Sequence, residues 1–559
     1  MKHSGPISCV ASHDKYVATS AYDNRVILWD AITHKALAKG MHDHLVNHCS
    51  FSSDGRWLVS AGSDYSARIW ELPYLRLRAV LSNHDDDVDM AVFSPDNQHV
   101  ATCALDRAVR IFDLHGRCLH TFLGHTGNII SLLWNLDGKQ LVSSSVDGTV
   151  RAWDVELGVQ ASCYDLEGVR TDTIVMDGQG RIIAGDDLGR LAVISQGQIT
   201  YHDAHQAGIK KLVYCDQRQL LVSLSYDRTM AFWAMSPTGT VVELRRTSLP
   251  AVIWSRAAAF LNGSQLALGT FGGTYAVYDW QQDRWQIDER VVGQGINAVV
   301  CHQGYVYTVG DAGIVCKNEQ AIAKLGSLCN FLLPAEQRLF TGGQLGQLFD
   351  ALSGEVLYQH HSPLNCGALF YSAGLAHIAV GTYTGEMLVF SLNSDTSLEL
   401  VRELPIYKNA IKSIAANHEQ LFSVCASSDI AWHNCQDLSL VNSISKAHDK
   451  IANACCQIAD VGFASVSRDR ALRLWLDGEQ AVYETPHTNS VKCIAVSADG
   501  GTLLTGSYGG TLAGFDVATR RWTSFNRPTI AGISSITYDE SGHCFLAASY
   551  DGGLYTIAH

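Results

Sequence analysis

The sequence predicts an all-β fold of fourteen short, four-stranded units set in two tandem rings of seven. Three observations carry that prediction. A segment of about forty residues recurs from one end of the 559-residue chain to the other. Each copy alternates apolar and polar residues with period 2, is broken by turn residues, and contains no helical stretch. An Asp followed six residues later by a Trp marks the same place in several copies.

"LVSSSVDGTVRAWDV" (Leu141 to Val155), "LVSLSYDRTMAFWAM" (Leu221 to Met235) and "FASVSRDRALRLWLD" (Phe463 to Asp477) show the unit most clearly. A small-residue strand leads to an Asp in a tight turn, and a second alternating strand carries the Trp. Asp23 and Trp29, and Asp64 and Trp70, share that spacing, as do Asp106 and Phe112 with a different ring. Along the chain the Asp position is taken by Asp23, Asp64, Asp106, Asp147, Leu188, Asp227, Gly272, Ala312, Leu345, Thr384, a residue near Ser428, Asp469, Gly509 and Asp551. The steps are 39 to 45 residues, except for one of 33 into Leu345. In the unit that opens at Gly124, "IISLLW", "QLVSSS", "TVRAWDV" and the segment after Gly158 are the four strands. "NLDGK" and "VDGT" supply the hairpin turns.

On these residues the chain resembles the WD40-repeat β-propellers. In that family a His before the first strand, a Ser or Thr in the second, the turn Asp and the third-strand Trp form a hydrogen-bonded tetrad. The resemblance implies five full sets: His3, Thr19, Asp23, Trp29; His42, Ser60, Asp64, Trp70; His125, Ser143, Asp147, Trp153; His205, Ser223, Asp227, Trp233; and His448, Ser465, Asp469, Trp475. His84, Thr102 and Asp106 form a sixth, with Phe112 replacing the indole. One Ser-His-Asp set would invite a catalytic reading, but five at one repeat position read as scaffold. The other units lack the Asp, the aromatic or both, and a Gly in the Asp position keeps the turn while losing its polar anchor.

A ring of blades packs well at roughly four to eight members. Fourteen WD repeats therefore predict two tandem seven-bladed β-propellers, at residues 1–292 and 293–559, with a crossing near Val291 to Gly295. The second ring holds the more degenerate repeats. The last unit stops after a third strand at "GGLYTIAH", so its outer strand is missing or comes from elsewhere. Two rings of this kind are similar to the architecture of actin-interacting protein 1; nothing beyond repeat count matches.

Composition narrows the function. Apolar residues are 47% and charged residues 17% of the chain, which suits compact structure, and the net charge of −14 with no basic stripe argues against nucleic acid. The 16 cysteines contain no Cys-x-x-Cys pair and read as reduced core thiols. "MKHSGPISCVASHDKY" lacks a signal-peptide pattern, and no run of about 18 apolar residues occurs, so the expected compartment is cytoplasmic. No phosphate loop, dinucleotide fingerprint, zinc helix or nucleophile elbow is present. No cofactor, metal site or catalytic residue is expected. "HDHLVNH" (His42 to His48) offers three histidines, of which His42 already belongs to a tetrad, and "HH" at 360–361 reads as a surface loop.

Function on such a scaffold lies on loops and rims. The resemblance to WD40-repeat propellers implies that two places per unit face one common peptide-binding side. The residue five after the tetrad His gives Ser8, Asn47, Asp89, Ile130, Lys210, Asn453 and Lys492. The residue before the turn Asp gives Tyr22, Ser63, Leu105, Val146, Tyr226, Phe271, Tyr383, Arg468, Tyr508 and Tyr550. "NHDDDVD" (Asn83 to Asp89) is the densest acidic stretch. His84 in it is a tetrad residue, Asp85, Asp86 and Asp87 form a solvated acidic lip and are candidate contacts for a basic partner, and Asp89 starts the strand at a face-pointing position. The leading expectation is a non-catalytic interaction scaffold for protein or peptide partners in a multiprotein assembly. The alternatives are a hydrolase-like WD-repeat enzyme and an actin-regulating or RNA-binding double propeller.

Overall fold

The computed structural model describes residues 1–236, 239–287, 295–392, 397–459, 462–476 and 479–558. The chain divides into two compact units, Met1–Val292 and Gly293–His559. Apart from Gly295, the expected crossing at 291–295 lies outside the described residues. The sheets are antiparallel blades of consecutive strands, making two tandem seven-bladed β-propellers. Blade 1 consists of Ile7–His13, Tyr16–Ala21, Arg25–Asp30 and Ala36–Met41, from the innermost strand outward. Blade 7 opens on Ile253–Phe260 and blade 8 on Ile296–His302. Blade 14 has three strands among the described residues, Ile533–Asp539, Cys544–Ser549 and Leu554–Ala558.

Each ring closes by packing its first blade on its last. In the first ring His3 N–H donates to Gly273 O at 2.8 Å and Gly273 N–H returns the bond at 2.9 Å. Ser12 donates to the Phe260 carbonyl. Ile7, Val10 and Trp29 of blade 1 share a core with Ala257, Tyr275 and Val277 of blade 7. In the second ring Ser534 Oγ donates to Ile296 O at 2.5 Å, and Val299 packs on Leu546 and Ala548. Cores throughout lie between blades rather than within them, because a single twisted sheet cannot bury either of its faces alone. Aromatic residues fill the third-strand place in several blades where Trp is lost: Phe112, Tyr278, Phe390 and Phe515 are buried.

The innermost strand carries a recurrent β-bulge. In blade 1 Ile7 pairs with Ala21 and Cys9 with Ser20, which leaves Ser8 outside the ladder. The same skip leaves out Asn47, Asp89, Ile130 and Lys210 in the first ring and Asn453 and Lys492 in the second. A bulge residue is turned away from its own sheet, so these side chains point toward the next blade. Blade 7 exaggerates the device: Ile253 pairs with Thr270 and Ala258 with Leu268, so residues 254–257 stand against Gly269 alone.

The 33-residue step reflects blade 8. Its third and fourth strands, Ile314–Lys317 and Gln320–Lys324, are short. The two-residue turn between them, at Asn318 and Glu319, has φ of 44° and 67°. Two positive φ values in a two-residue loop match the right-handed strand twist, which makes this the tightest kind of hairpin available. All sixteen cysteines are unpaired. Several are not core residues, however, and Cys163 is exposed. Among the described residues no helix is long and apolar enough to cross a membrane.

Candidate interaction faces

The tetrad side chains meet in the order their chemistry dictates. In blade 2, His42 Nδ1 lies 3.0 Å from Asp64 Oδ2, His42 Nε2 lies 2.7 Å from Ser60 Oγ, and Trp70 Nε1 lies 2.8 Å from the same hydroxyl. A carboxylate can only accept, so the imidazole proton sits on Nδ1. Nε2 must then accept from the hydroxyl, whose oxygen in turn accepts the indole N–H. Blades 1, 4, 6 and 12 repeat the chain of bonds through Thr19, Ser143, Ser223 and Ser465. Blade 3 holds His84 between Asp106 at 2.9 Å and Thr102 at 2.7 Å, with Phe112 closing the set by packing alone.

Electrostatics fix the sets of blades 2, 3, 4 and 12 in one protonation state. Burial lowers His42, His84, His125 and His448 below the usual histidine range despite the adjacent carboxylates. Burial also opposes ionisation of Asp64, Asp106, Asp147 and Asp469. Hydrogen bonds from histidines, turn hydroxyls and amides outweigh it and hold all four well below the usual carboxylate range. The hydroxyls of the five complete sets belong to residues that are 0% exposed. A nucleophile must reach its substrate, so these triads cannot do hydrolytic work.

Degenerate blades use other anchors. In blade 5 Asp186, two residues before Leu188, accepts from Arg190 Nε at 2.7 Å. In blade 7 Thr270 donates to the carbonyls of Gly272 at 2.6 Å and Thr274 at 2.8 Å. In blade 13 His487 reaches Thr505 at 2.9 Å and Thr511 at 2.6 Å, and burial lowers its pKa to about 4. The "HH" segment is not wholly a surface loop: His360 is buried in the tetrad place, where its Nδ1 accepts the Ser362 N–H at 3.1 Å.

The bulge residues form a seam from blade to blade, which corrects part of the expected contact set. Ser8 donates to the Val46 carbonyl, Asn47 to Val88 O at 3.0 Å, and Asn453 to Val491 O at 2.6 Å. Asn297, Asn330 and Asn365 do the same at 3.0, 2.8 and 2.6 Å. Each donates to the carbonyl of the first residue of the next innermost strand. Ser8, Asn47 and Asn453 are therefore struts first, their donors already used. Asp87 is buried, so the acidic lip reduces to exposed Asp85 and half-buried Asp86, which accepts the Asp87 N–H at 2.7 Å. Tyr508 is also buried, stacked on Tyr550 with ring centroids 6.1 Å apart.

At the mouth of the first ring, charged and aromatic side chains converge. Lys210, placed as a contact residue, is buried in an ion-pair network: its Nζ lies 2.9 Å from Asp172 Oδ2 and also bonds Asp187. Arg170 Nε donates to Asp172 Oδ1 at 2.7 Å. Burial disfavours the Lys210 charge, but Asp172 and Asp187 outweigh it and raise its pKa. Arg256, aimed inward by the enlarged bulge, donates to Tyr226 Oη at 2.9 Å and lies 3.7 Å from Asp172. Tyr22 meets Trp254 edge-on at 5.3 Å, and Trp254 lies 5.9 Å from Phe271. Asp89 is half-buried, and its carboxylate has no hydrogen-bond partner among the described residues. Burial, then the neighbouring Asp87, pushes it up to about 7. Ile130 is half-buried in the same seam.

Asp172, Asp187 and Trp254 stand in the repeat places that give Asp89, Tyr226 and Lys210 elsewhere. Counting from a tetrad His misses Asp172 and Trp254 because Glu167 and Leu249 occupy that position, and Asp187 is missed because Leu188 takes the turn Asp's place. Counting from the strand's first residue, Thr171 or Ile253, finds Asp172 and Trp254. No sequence signal marks Arg256, since it reaches the mouth only through the enlarged bulge. In the second ring the same places hold Tyr383, Arg468, Lys492 and Tyr550, all half-buried. Lys412 joins them, with its Nζ 5.8 Å from the Tyr383 ring centroid.

The family model for the WD domain, G-beta repeat, matches residues 1–30, 37–71, 75–113, 116–154 and 480–516. The chain carries WD40 repeats. The matches cover blades 1 to 3 and the inner three strands of blades 4 and 13, with their tetrad or hydroxyl-anchored turns. Curated relatives align over part of the chain. Periodic tryptophan protein 2 of Arabidopsis thaliana is 28% identical over 41% of the chain and 26% of its own length. Nuclear distribution protein nudF of Aspergillus niger is 27% identical over 26% of the chain and 38% of its own length. Target of rapamycin complex subunit wat1 of Schizosaccharomyces pombe is 31% identical over 25% of the chain and 46% of its own length. The chain thus spans less than half the length of each.

Proposed function

We propose that this WD40 chain is a non-catalytic scaffold whose two propeller faces hold protein or peptide partners within a multiprotein assembly. Residues 1–292 and 293–559 act in this reading as separate cytoplasmic domains. The observation that supports it most is the first ring's mouth. Tyr22, Trp254, Phe271 and Tyr226 stand there beside paired charges, and half-buried aromatics framed by charge are the side chains that anchor interfaces. The printed description of wat1 as a complex subunit points the same way.

An enzyme would need a polar cluster outside the tetrads, and the first ring has one in Asp172, Asp187 and Lys210. Its chemistry does not suit proton transfer near neutral pH. Lys210 is held as an ammonium, and Arg170 and Lys210 hold Asp172 as a carboxylate against the effect of burial. Affinity purification from the native host, read by mass spectrometry, tests the scaffold reading. Stable co-purifying proteins are expected; a clean monomer without enriched partners would count against it.

A further inference from the structure

The two mouths differ in charge. In the first ring, the ammonium of Lys210 and the guanidinium of Arg170 are matched by Asp172 and Asp187 within bonding distance. In the second ring, the bulge residue and the residue after the second strand give two mouth places in each of seven blades. Three of these places are cationic: Lys412 on blade 11, Arg468 on blade 12 and Lys492 on blade 13. Asp311 is the single acidic one, and it is buried with Asn297 Nδ2 donating to it at 3.1 Å. Burial pushes Asp311 up to about 7, so it supplies only part of a negative charge.

Three cations on adjacent blades, in a chain whose net charge is −14, are not expected from composition. Half-buried cations in a concave, partly dry setting attract an anion more strongly than the same charges on an open surface. The Lys492 ammonium is half-buried and has no hydrogen-bond or ion-pair partner among the described residues. Tyr383 on one side, and Tyr550, backed by the buried Tyr508, on the other, flank the cations with flat rings. Those rings suit a polypeptide, whose apolar groups pack on them while its carboxylates reach the cations.

We infer that the mouth of the second propeller is the docking site for an acidic segment of a partner protein, with Lys412, Arg468 and Lys492 receiving its carboxylates. This rests on the scaffold reading and adds the chemistry of the partner. The test uses the full-length chain and a fluorescent ten-residue polyglutamate peptide, followed by anisotropy. Binding is expected, weakening as ionic strength rises. A Lys412→Gln, Arg468→Gln, Lys492→Gln variant should lose at least about tenfold in affinity. A charge-matched control, Lys35→Gln, Lys139→Gln, Lys324→Gln on exposed sites, should keep wild-type affinity. Circular dichroism and thermal melting confirm that both variants are folded.

No binding to the peptide, or equal losses in both variants, overturns the inference. Tighter mouth-dependent binding of a ten-nucleotide oligouridylate overturns it in favour of nucleic acid. Native partners captured by wild type and kept by the mouth variant would leave the scaffold reading standing while removing this one. Capture of no partner by either would remove the scaffold reading itself.

Discussion

Asp227→Ala isolates one tetrad. The Asp227 carboxylate accepts from His205 Nδ1 at 2.9 Å, Gln206 N–H at 3.0 Å, Thr229 N–H at 2.9 Å and Thr229 Oγ1 at 2.7 Å. Burial opposes its charge, yet these donors, His205 first, lower its pKa from 3.8 to about 2. At about 1.4 kcal/mol per unit, the charge contributes roughly 2.5 kcal/mol to the folded state at neutral pH. Truncation also strands the buried His205 donor, a loss of about 1–3 kcal/mol that overlaps the first figure. A total near 3 kcal/mol is expected. At about 2–4 °C per kcal/mol, that is a fall of roughly 6–12 °C in the melting of the first ring.

Calorimetry at pH 7 reads that fall directly. Because the folded-state pKa is depressed, the charge-dependent part is present above the unfolded value of 3.8 and is lost as pH falls through about 2. The gap to wild type should therefore narrow in acid. Asp85→Ala, on an exposed loop, should stay within about 0.5 kcal/mol of wild type. Equal melting temperatures for Asp227→Ala and wild type at pH 7 would refute the tetrad account.

Other outcomes follow from neighbouring features. Burial raises the folded pKa of Asp311 from 3.8 to about 7, so wild-type stability should decline as pH rises between those values and level off above. Asp311→Asn removes that slope; by calorimetry it should match wild type in acid and exceed it, by up to about 4 kcal/mol, above neutrality. Asn365→Ala deletes the strut to Ile411 O and should lower stability in urea titrations by about 1–2 kcal/mol. Trp254→Ala breaks the first ring's aromatic corner and should weaken capture of a native partner at least about tenfold while the chain stays folded.

The repeat, the strand order and the tetrads were legible because each depends on local residues at fixed spacing: Asp six before Trp, a hydroxyl in the second strand, a His ahead of the first. The anchors of the weak blades were hidden for the opposite reason. Thr270 in blade 7 and Thr511 in blade 13 do the work of the Asp with hydroxyls, which occur throughout the sequence and carry no positional mark. The mouth positions were half legible. Their spacing was right, but exposure was not readable, since a bulge residue such as Asn453 can donate to the next blade and still sit at the rim. Lys210 looked like a free contact because its partners, Asp172 and Asp187, lie in a unit that has no tetrad His. Arg256 required the enlarged blade 7 bulge, a property of strand register rather than of residue type.

Site-specific photocrosslinking in the native host tests the central claim, that the propeller mouths are where this protein meets its partners. A photoreactive phenylalanine is placed at Phe271, at Tyr383 and, for comparison, at Leu440, which is 58% exposed on an outermost strand. Discrete protein adducts from Phe271 or Tyr383, and none of comparable yield from Leu440, are predicted. Adducts from Leu440 alone would contradict the claim.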